Sequence, residues 1–144
     1  MKVEKSVLVG YSMEQMFDLV ERVEDYPQYL PWCGGTEVWR QDNGGVVATV
    51  HIDYRGLKQS FTTENVYQPK QSITMKLKEG PFSRLEGSWH FIPLNDSACK
   101  IEFNLFYLFS SGLLEKLISP VFGYIANSFV DAFVKRAEEI YGES

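Results

Sequence analysis

The sequence predicts an α+β fold, a curved antiparallel sheet of about seven strands wrapped around one long C-terminal helix. Two observations predict it. Between residues 36 and 109, apolar and polar residues alternate in successive short segments divided by turn residues, which is the pattern of hairpins with one covered face. From Leu113 onward the apolar residues recur at helical spacing, and this helix is the only element long enough to cover such a sheet.

Taken in order, Val3 to Val9 alternate loosely and predict a first strand. Ser12 followed by Gln15 has the spacing of a capping box, so a helix starts there, with Met16, Phe17, Leu19, Val20 and Val23 as its apolar stripe. Tyr26-Pro27 is expected to end or redirect it, and Pro31 and Gly34-Gly35 to break the chain again. Strand phases follow: Val46, Ala48, Val50, Ile52 and Tyr54; Leu57, Gln59, Phe61, Thr63, Asn65 and Tyr67; Ile73, Met75 and Leu77; Leu85, Gly87, Trp89 and Phe91; then Cys99, Ile101, Phe103, Leu105, Tyr107 and Phe109. Arg55-Gly56, Pro69-Lys70-Gln71, Glu79-Gly80-Pro81 and Asn95-Asp96-Ser97 supply the turns. The final helix is expected over about 113–141, with Leu114, Leu117, Ile118, Val121, Phe122, Ile125, Phe129 and Ala132 on one face. Pro120 either kinks it or, with Ser119 as cap, opens a second helix. No repeat or linker intervenes, and residues 1–144 read as one domain.

A chain of 144 residues can bury a core without staples, and 44% hydrophobic content is globular. The 10 Phe, 8 Tyr and 3 Trp must either fill a solid core or line a cavity. Cys33 and Cys99 are too few for a disulfide framework and lack metal-site spacing, so two reduced thiols and no metal are expected. Met1 to Lys5 leads directly into strand pattern, and no run of about 18 apolar residues occurs, so neither a secretory leader nor a membrane-spanning helix is expected. The expected location is the cytoplasm, with contact at a membrane surface left open. A net charge of −5 argues against DNA as a partner. The middle of the chain is nevertheless basic, and Lys58, Lys70, Lys76, Lys78 and Arg84 form either a patch for phosphate or anionic lipid or an ordinary solvated sheet face.

Catalytic chemistry is not evident. His51 and His90 fall on the polar phase of their strands, and the inward phase from Val46 to Phe91 carries no charged residue or histidine to act as acid or base. No nucleophile elbow, phosphate loop or dinucleotide fingerprint occurs, and Cys33 has no apparent activating base. A non-enzymatic protein is therefore expected. Gln59, Thr63 and Asn65 are neutral polar groups on the inward phase. They bond one another, backbone or buried water, or they meet a ligand. Neutral donors in an apolar cavity suit a carbonyl-bearing ligand such as a quinone.

Three segments together resemble a known family: Tyr26-Pro27 with Leu30-Pro31-Trp32-Cys33-Gly34, Gly80-Pro81-Phe82 with Leu85, Gly87, Trp89 and Phe91, and Asp131-Ala132-Phe133 with Arg136-Ala137. In this order and spacing they are similar to the RatA/PasT/coenzyme-Q-binding family of the START-like (polyketide cyclase/dehydrase, SRPBCC) superfamily, across nearly the whole chain. The resemblance implies a helix-grip fold with a cavity between sheet and helix. It also implies two competing roles. One is binding of ubiquinone or a similar isoprenoid lipid in support of respiration, with no cofactor required. The other is a ribosome-association toxin that binds the large subunit and blocks subunit joining. Within this frame Phe61, Met75, Leu77, Trp89, Phe103, Val121, Ile125 and Phe129 are expected to line an apolar tunnel, with Gln59 and Thr63 at a ligand's polar head. A solid core of the same residues is the competing reading. Trp32 is expected at a half-wet rim. Phe82 is expected at an exposed hairpin tip beside Lys78 and Arg84, placed to dip into a membrane. Arg136, late in the helix, is expected to cap carbonyls or to favour the helix C-terminus.

Overall fold

The computed structural model describes residues 1–142. The chain runs β1 (Lys2–Val9), α1 (Met13–Glu21), a 3-10 helix (Val23–Gln28), β2 (Cys33–Arg40), β3 (Val46–Tyr54), β4 (Leu57–Gln68), β5 (Ser72–Glu79), β6 (Phe82–Asn95), β7 (Ala98–Phe109) and α2 (Gly112–Tyr141). One antiparallel sheet has the order β1-β7-β6-β5-β4-β3-β2. Strands β2 to β7 form a meander, and β1 returns to pair with β7, Val3 opposite Leu105 and Val9 opposite Cys99. The α+β helix-grip architecture is the one the alternation predicts.

The capping box forms. Ser12 Oγ accepts from the Gln15 N–H at 3.1 Å, and Gln15 Oε1 accepts from the Ser12 N–H at 2.9 Å. The change of direction after α1 comes at Arg22 (ψ 71°), five residues before the expected break. Pro27 sits inside the 3-10 helix instead of ending anything. Gly34 and Gly35 do not interrupt the chain either. They belong to β2, where the register slips between Cys33 and Gly35. A Cβ on Gly34 would lie 2.9 Å from the Asp53 Cβ, so glycine lets the bulged strand approach β3.

α2 is a single helix through Pro120, capped by Ser111 Oγ, which accepts from the Leu114 N–H at 3.2 Å. The proline removes the donor for the Lys116 carbonyl, and both residues are exposed, where water replaces it. The buried face is Ile118, Phe122, Ile125, Ala126, Val130, Phe133 and Ala137. Leu117, expected on that face, is 61% exposed, because it lies about 100° around the helix from Ile118. By length and composition α2 is apolar enough to cross a membrane; here its buried face packs on the sheet.

Phe133 is fully buried and joins three elements. Its ring lies 5.4 Å from Trp89 of β6, 5.3 Å from Tyr26 of the 3-10 helix and 5.3 Å from Phe129 one turn back. Arg136 does not cap carbonyls. Its guanidinium sits 4.9 Å over the Tyr29 ring and pairs with Glu139 at 3.3 Å, fastening α2 to the chain just after the 3-10 helix. Phe133→Ala is expected to cost about 3–5 kcal/mol of stability in urea denaturation. Leu113→Ala, at a position 68% exposed, is expected to stay within about 0.5 kcal/mol.

Candidate functional site

Between the concave sheet and α2 lies a partly open cavity of about 60 Å³. β3 contributes Ala48 and Val50; β4 contributes Phe61, Thr63, Asn65 and Tyr67; β5 contributes Ile73 and Met75. Leu85 and Trp89 come from β6, Phe103 and Leu105 from β7, and Phe122, Ile125, Ala126 and Phe129 from α2. Val20, Val23, Tyr26 and Trp32 close it from the side of α1 and the 3-10 helix.

Eight of the expected site residues meet there: Trp32, Phe61, Thr63, Met75, Trp89, Phe103, Ile125 and Phe129. Four do not. Gln59 lies opposite Ile52 on the stretch of β4 that runs beyond its pairing with β5, and it borders a shallow surface groove. Leu77 is half-buried against the core outside the cavity. Val121 gives way to its neighbour Phe122, a one-residue error in helical phase. Phe82 is not an exposed tip. It is 5% exposed, with its ring 4.9 Å from Phe122 and 5.1 Å from Phe109. Trp32 is not half-wet, at 2% exposure, and packs 5.6 Å from Phe129.

The cavity has a polar end. Thr63, Asn65 and Tyr67 follow one another on the inward phase of β4. Thr63 Oγ1 donates to Asn65 Oδ1 at 2.8 Å. The Tyr67 hydroxyl is buried with no hydrogen-bond partner among the described residues. Burial raises the Tyr67 phenol above its ordinary value, with the nearby Asn65 amide opposing in part. Tyr26 is raised further by complete burial, and its hydroxyl donates to the Val20 carbonyl at 2.5 Å. Both phenols therefore stay protonated at neutral pH. Sequence reasoning counted Tyr67 with the apolar phase. Its hydroxyl, on the same phase as Thr63 and Asn65, was the signal to read.

Ion pairs on the surface hold the cover of this end. Arg40 of β2 bonds Glu21 at 2.6 Å and Glu24 at 2.9 Å, and Lys70 pairs with Asp18 of α1. Exposed pairs of this kind contribute about 0–1 kcal/mol each.

Among the cavity-lining residues there is no Asp, Glu, His, Lys or Arg. His51 faces outward, with Nε2 3.1 Å from Glu37. The cations proposed as a basic patch do not make one surface of a single sign. Lys58 pairs opposite Asp53, and Lys76 sits between Glu64 and Glu86. Lys78 is 3.9 Å from Glu64, Arg84 Nε bonds Glu86 at 2.6 Å, and Lys70 meets Asp18. Asp18, Asp53 and Glu86 come from outside the basic stretch, so a count along the chain could not include them. Cys33 and Cys99 are both buried free thiols. Burial raises the Cys33 thiol and pushes Cys99 up to about 11. At neutral pH both are expected to react with an aromatic disulfide reagent only as fast as the protein unfolds, measured as the rate of colour release with and without denaturant.

Residues 9–134 match the family described as polyketide cyclase / dehydrase and lipid transport. The chain is 42% identical to the ribosome association toxin RatA of Vibrio cholerae, over 99% of both chains. It is 29% identical to the mitochondrial coenzyme Q-binding protein homolog B of Xenopus laevis, over 96% of this chain and 58% of that one. A START superfamily protein from Mycobacterium smegmatis superposes with a TM-score of 0.81 at 22% identity, over 96% of this chain and 98% of that one. With the helix gripped by its sheet, an apolar cavity between them and this match over most of its length, the chain belongs to the polyketide cyclase/dehydrase and lipid transport family.

Proposed function

We propose that the protein binds, without chemical change, an apolar ligand with a polar head, and that the ligand is ubiquinone or a related isoprenoid lipid. The observation that carries this reading is the apolar cavity with a hydroxyl at one end that has no partner among the described residues. An orphan buried hydroxyl costs about 1–3 kcal/mol, and a ligand acceptor removes that cost. The Tyr67 phenol, raised by burial, stays protonated and is a donor, while that of Tyr26 already donates to the Val20 carbonyl. The name of the Xenopus relative supports the same ligand class. A cavity of about 60 Å³ is well below the roughly 300–1,000 Å³ of pockets that hold drug-sized ligands. Binding therefore proceeds with movement of α2 or of the α1 cover.

A second reading, association with the large ribosomal subunit, is favoured by the identity with RatA over the full length. In this reading the outer surface makes the contact and the cavity lining does not. Co-sedimentation with purified large subunits tests it. Charge reversal at Lys76, Lys78 and Arg84 is expected to weaken that binding if this face makes the contact, and added salt to weaken it further.

The ligand reading is tested by organic extraction and mass spectrometry of protein purified from its native host, with Ala126→Leu beside the wild type. Ala126 is 1% exposed and lines the cavity. Leucine there is expected to fill the space, leave the denaturation midpoint nearly unchanged and remove the co-purifying lipid. In a solid core the added methylenes would cost about 1–3 kcal/mol. No lipid with the wild type, together with that destabilisation, leaves the ribosomal reading in its place.

A further inference from the structure

We infer that Asn65 and Tyr67 form a donor pair for a ligand carbonyl, and that Thr63 orients the pair. The inference rests on the ligand-cavity reading and adds where the polar head sits and which groups meet it. Asn65 is 5% exposed, Thr63 is 6% exposed, and both line the cavity with Tyr67. The Thr63 hydroxyl donates to Asn65 Oδ1 at 2.8 Å. That bond turns the amide oxygen toward Thr63, keeps one of its two lone pairs open and leaves the Nδ2 hydrogens available. Two residues along the same face of β4, the Tyr67 hydroxyl is buried with the Asn65 amide nearby and has no partner within hydrogen-bond distance among the described residues. The polar end thus offers two donors.

A carbonyl oxygen has two lone pairs and can accept from both donors. A hydrocarbon of the same shape leaves both donors unsatisfied and forgoes the net value of those bonds. Tyr26 lines the same side of the cavity, but its hydroxyl already donates to the Val20 carbonyl. The head group therefore seats with one carbonyl beneath α1 and the 3-10 helix. Its tail points along the apolar remainder of the cavity, toward Phe61, Leu85 and Phe122.

The test uses the full chain and two small probes of one shape: duroquinone and the hydrocarbon durene. Each displaces an apolar fluorophore from wild type, Tyr67→Phe and Thr63→Val. Wild type is expected to bind duroquinone about tenfold tighter than durene, the equivalent of one or two net hydrogen bonds. Tyr67→Phe should lose about tenfold for duroquinone, nothing for durene, and no denaturation midpoint, since the hydroxyl it deletes has no partner within hydrogen-bond distance in the free protein. Thr63→Val releases the amide and should narrow the gap between duroquinone and durene. A Tyr67→Phe variant that is destabilised and weakened equally toward duroquinone and durene would assign Tyr67 a packing role and overturn the inference. Equal binding of duroquinone and durene by wild type overturns it while leaving an apolar-ligand cavity standing. Failure of both probes to displace the fluorophore overturns the cavity reading itself, and this inference with it.

Discussion

Two aromatic clusters set the separation of α2 from the sheet, and the cavity exists because of what lies between them. At one end Phe122 packs 4.9 Å from Phe82 and 4.8 Å from Tyr107. At the other, Phe133 packs against Trp89 and Tyr26, with Phe129 6.0 Å from Phe103. Rings are rigid and hold a helix at a fixed height. Between the clusters stand Ala126 on the helix and Ala48 on β3, both almost fully buried. Small side chains in the middle of a span held open by large ones leave space that neighbours cannot close without losing the ring contacts, since interiors do not deform continuously.

The polar end follows from the same geometry. β4 crosses the sheet opposite the helix and turns every second residue inward, so Phe61, Thr63, Asn65 and Tyr67 make a gradient from apolar to polar along one strand. The polar members sit below the cover formed by α1 and the 3-10 helix. That cover carries the exposed ion pairs of Arg40 and Lys70 on its outer side and buried rings on its inner side, where Phe17 lies 5.7 Å from Phe91 and Tyr26 5.3 Å from Phe133. Exposed pairs release at little cost; buried aromatic contacts do not. The cover and α2 therefore share one packed seam, beside the groups that the proposed ligand's head would meet.

The strands were legible because alternation is a strict signal. Val46 to Tyr54 and Cys99 to Phe109 were phased correctly from hydrophobicity alone. The capping box of Ser12 and Gln15 was legible because it is local. α2 was harder. Leu113, Leu117 and Tyr124 are exposed although apolar, so the helix is hydrophobic over more of its circumference than the sheet covers. A stripe broader than the contact cannot fix the phase to one residue, which is why Val121 stood in for Phe122. Phe82 was placed at the surface from the turn residues beside it, and Trp32 at a half-wet rim from the polar N–H of its ring. Their burial is set by α2 folding back over both, a contact distant in sequence. The charge count along the chain left a patch and a solvated sheet face open for the same reason: Lys58 meets Asp53 and Lys76 meets Glu86 across strands, and a window along the chain sees neither.

The two readings of function occupy opposite faces of the same strands. On β4 the inward side chains are Phe61, Thr63 and Asn65, and the outward ones Thr62 and Glu64. On β5, Met75 points in and Lys76 out. A period of two assigns every residue to one face, so a substitution inside the cavity leaves the charged exterior unchanged, and a charge reversal outside leaves the lining unchanged. A ligand could bias a partner's contact only by moving the cover or α2, the parts that reach both surfaces. Arg40 is where such coupling would pass. It bonds Glu21 and Glu24 on the outside, while Val20 and Val23, the residues just before them, line the cavity from within. Displacement of those two valines by an incoming head group would move the same turns that carry Glu21 and Glu24, and would carry the occupancy of the interior to the surface of the protein.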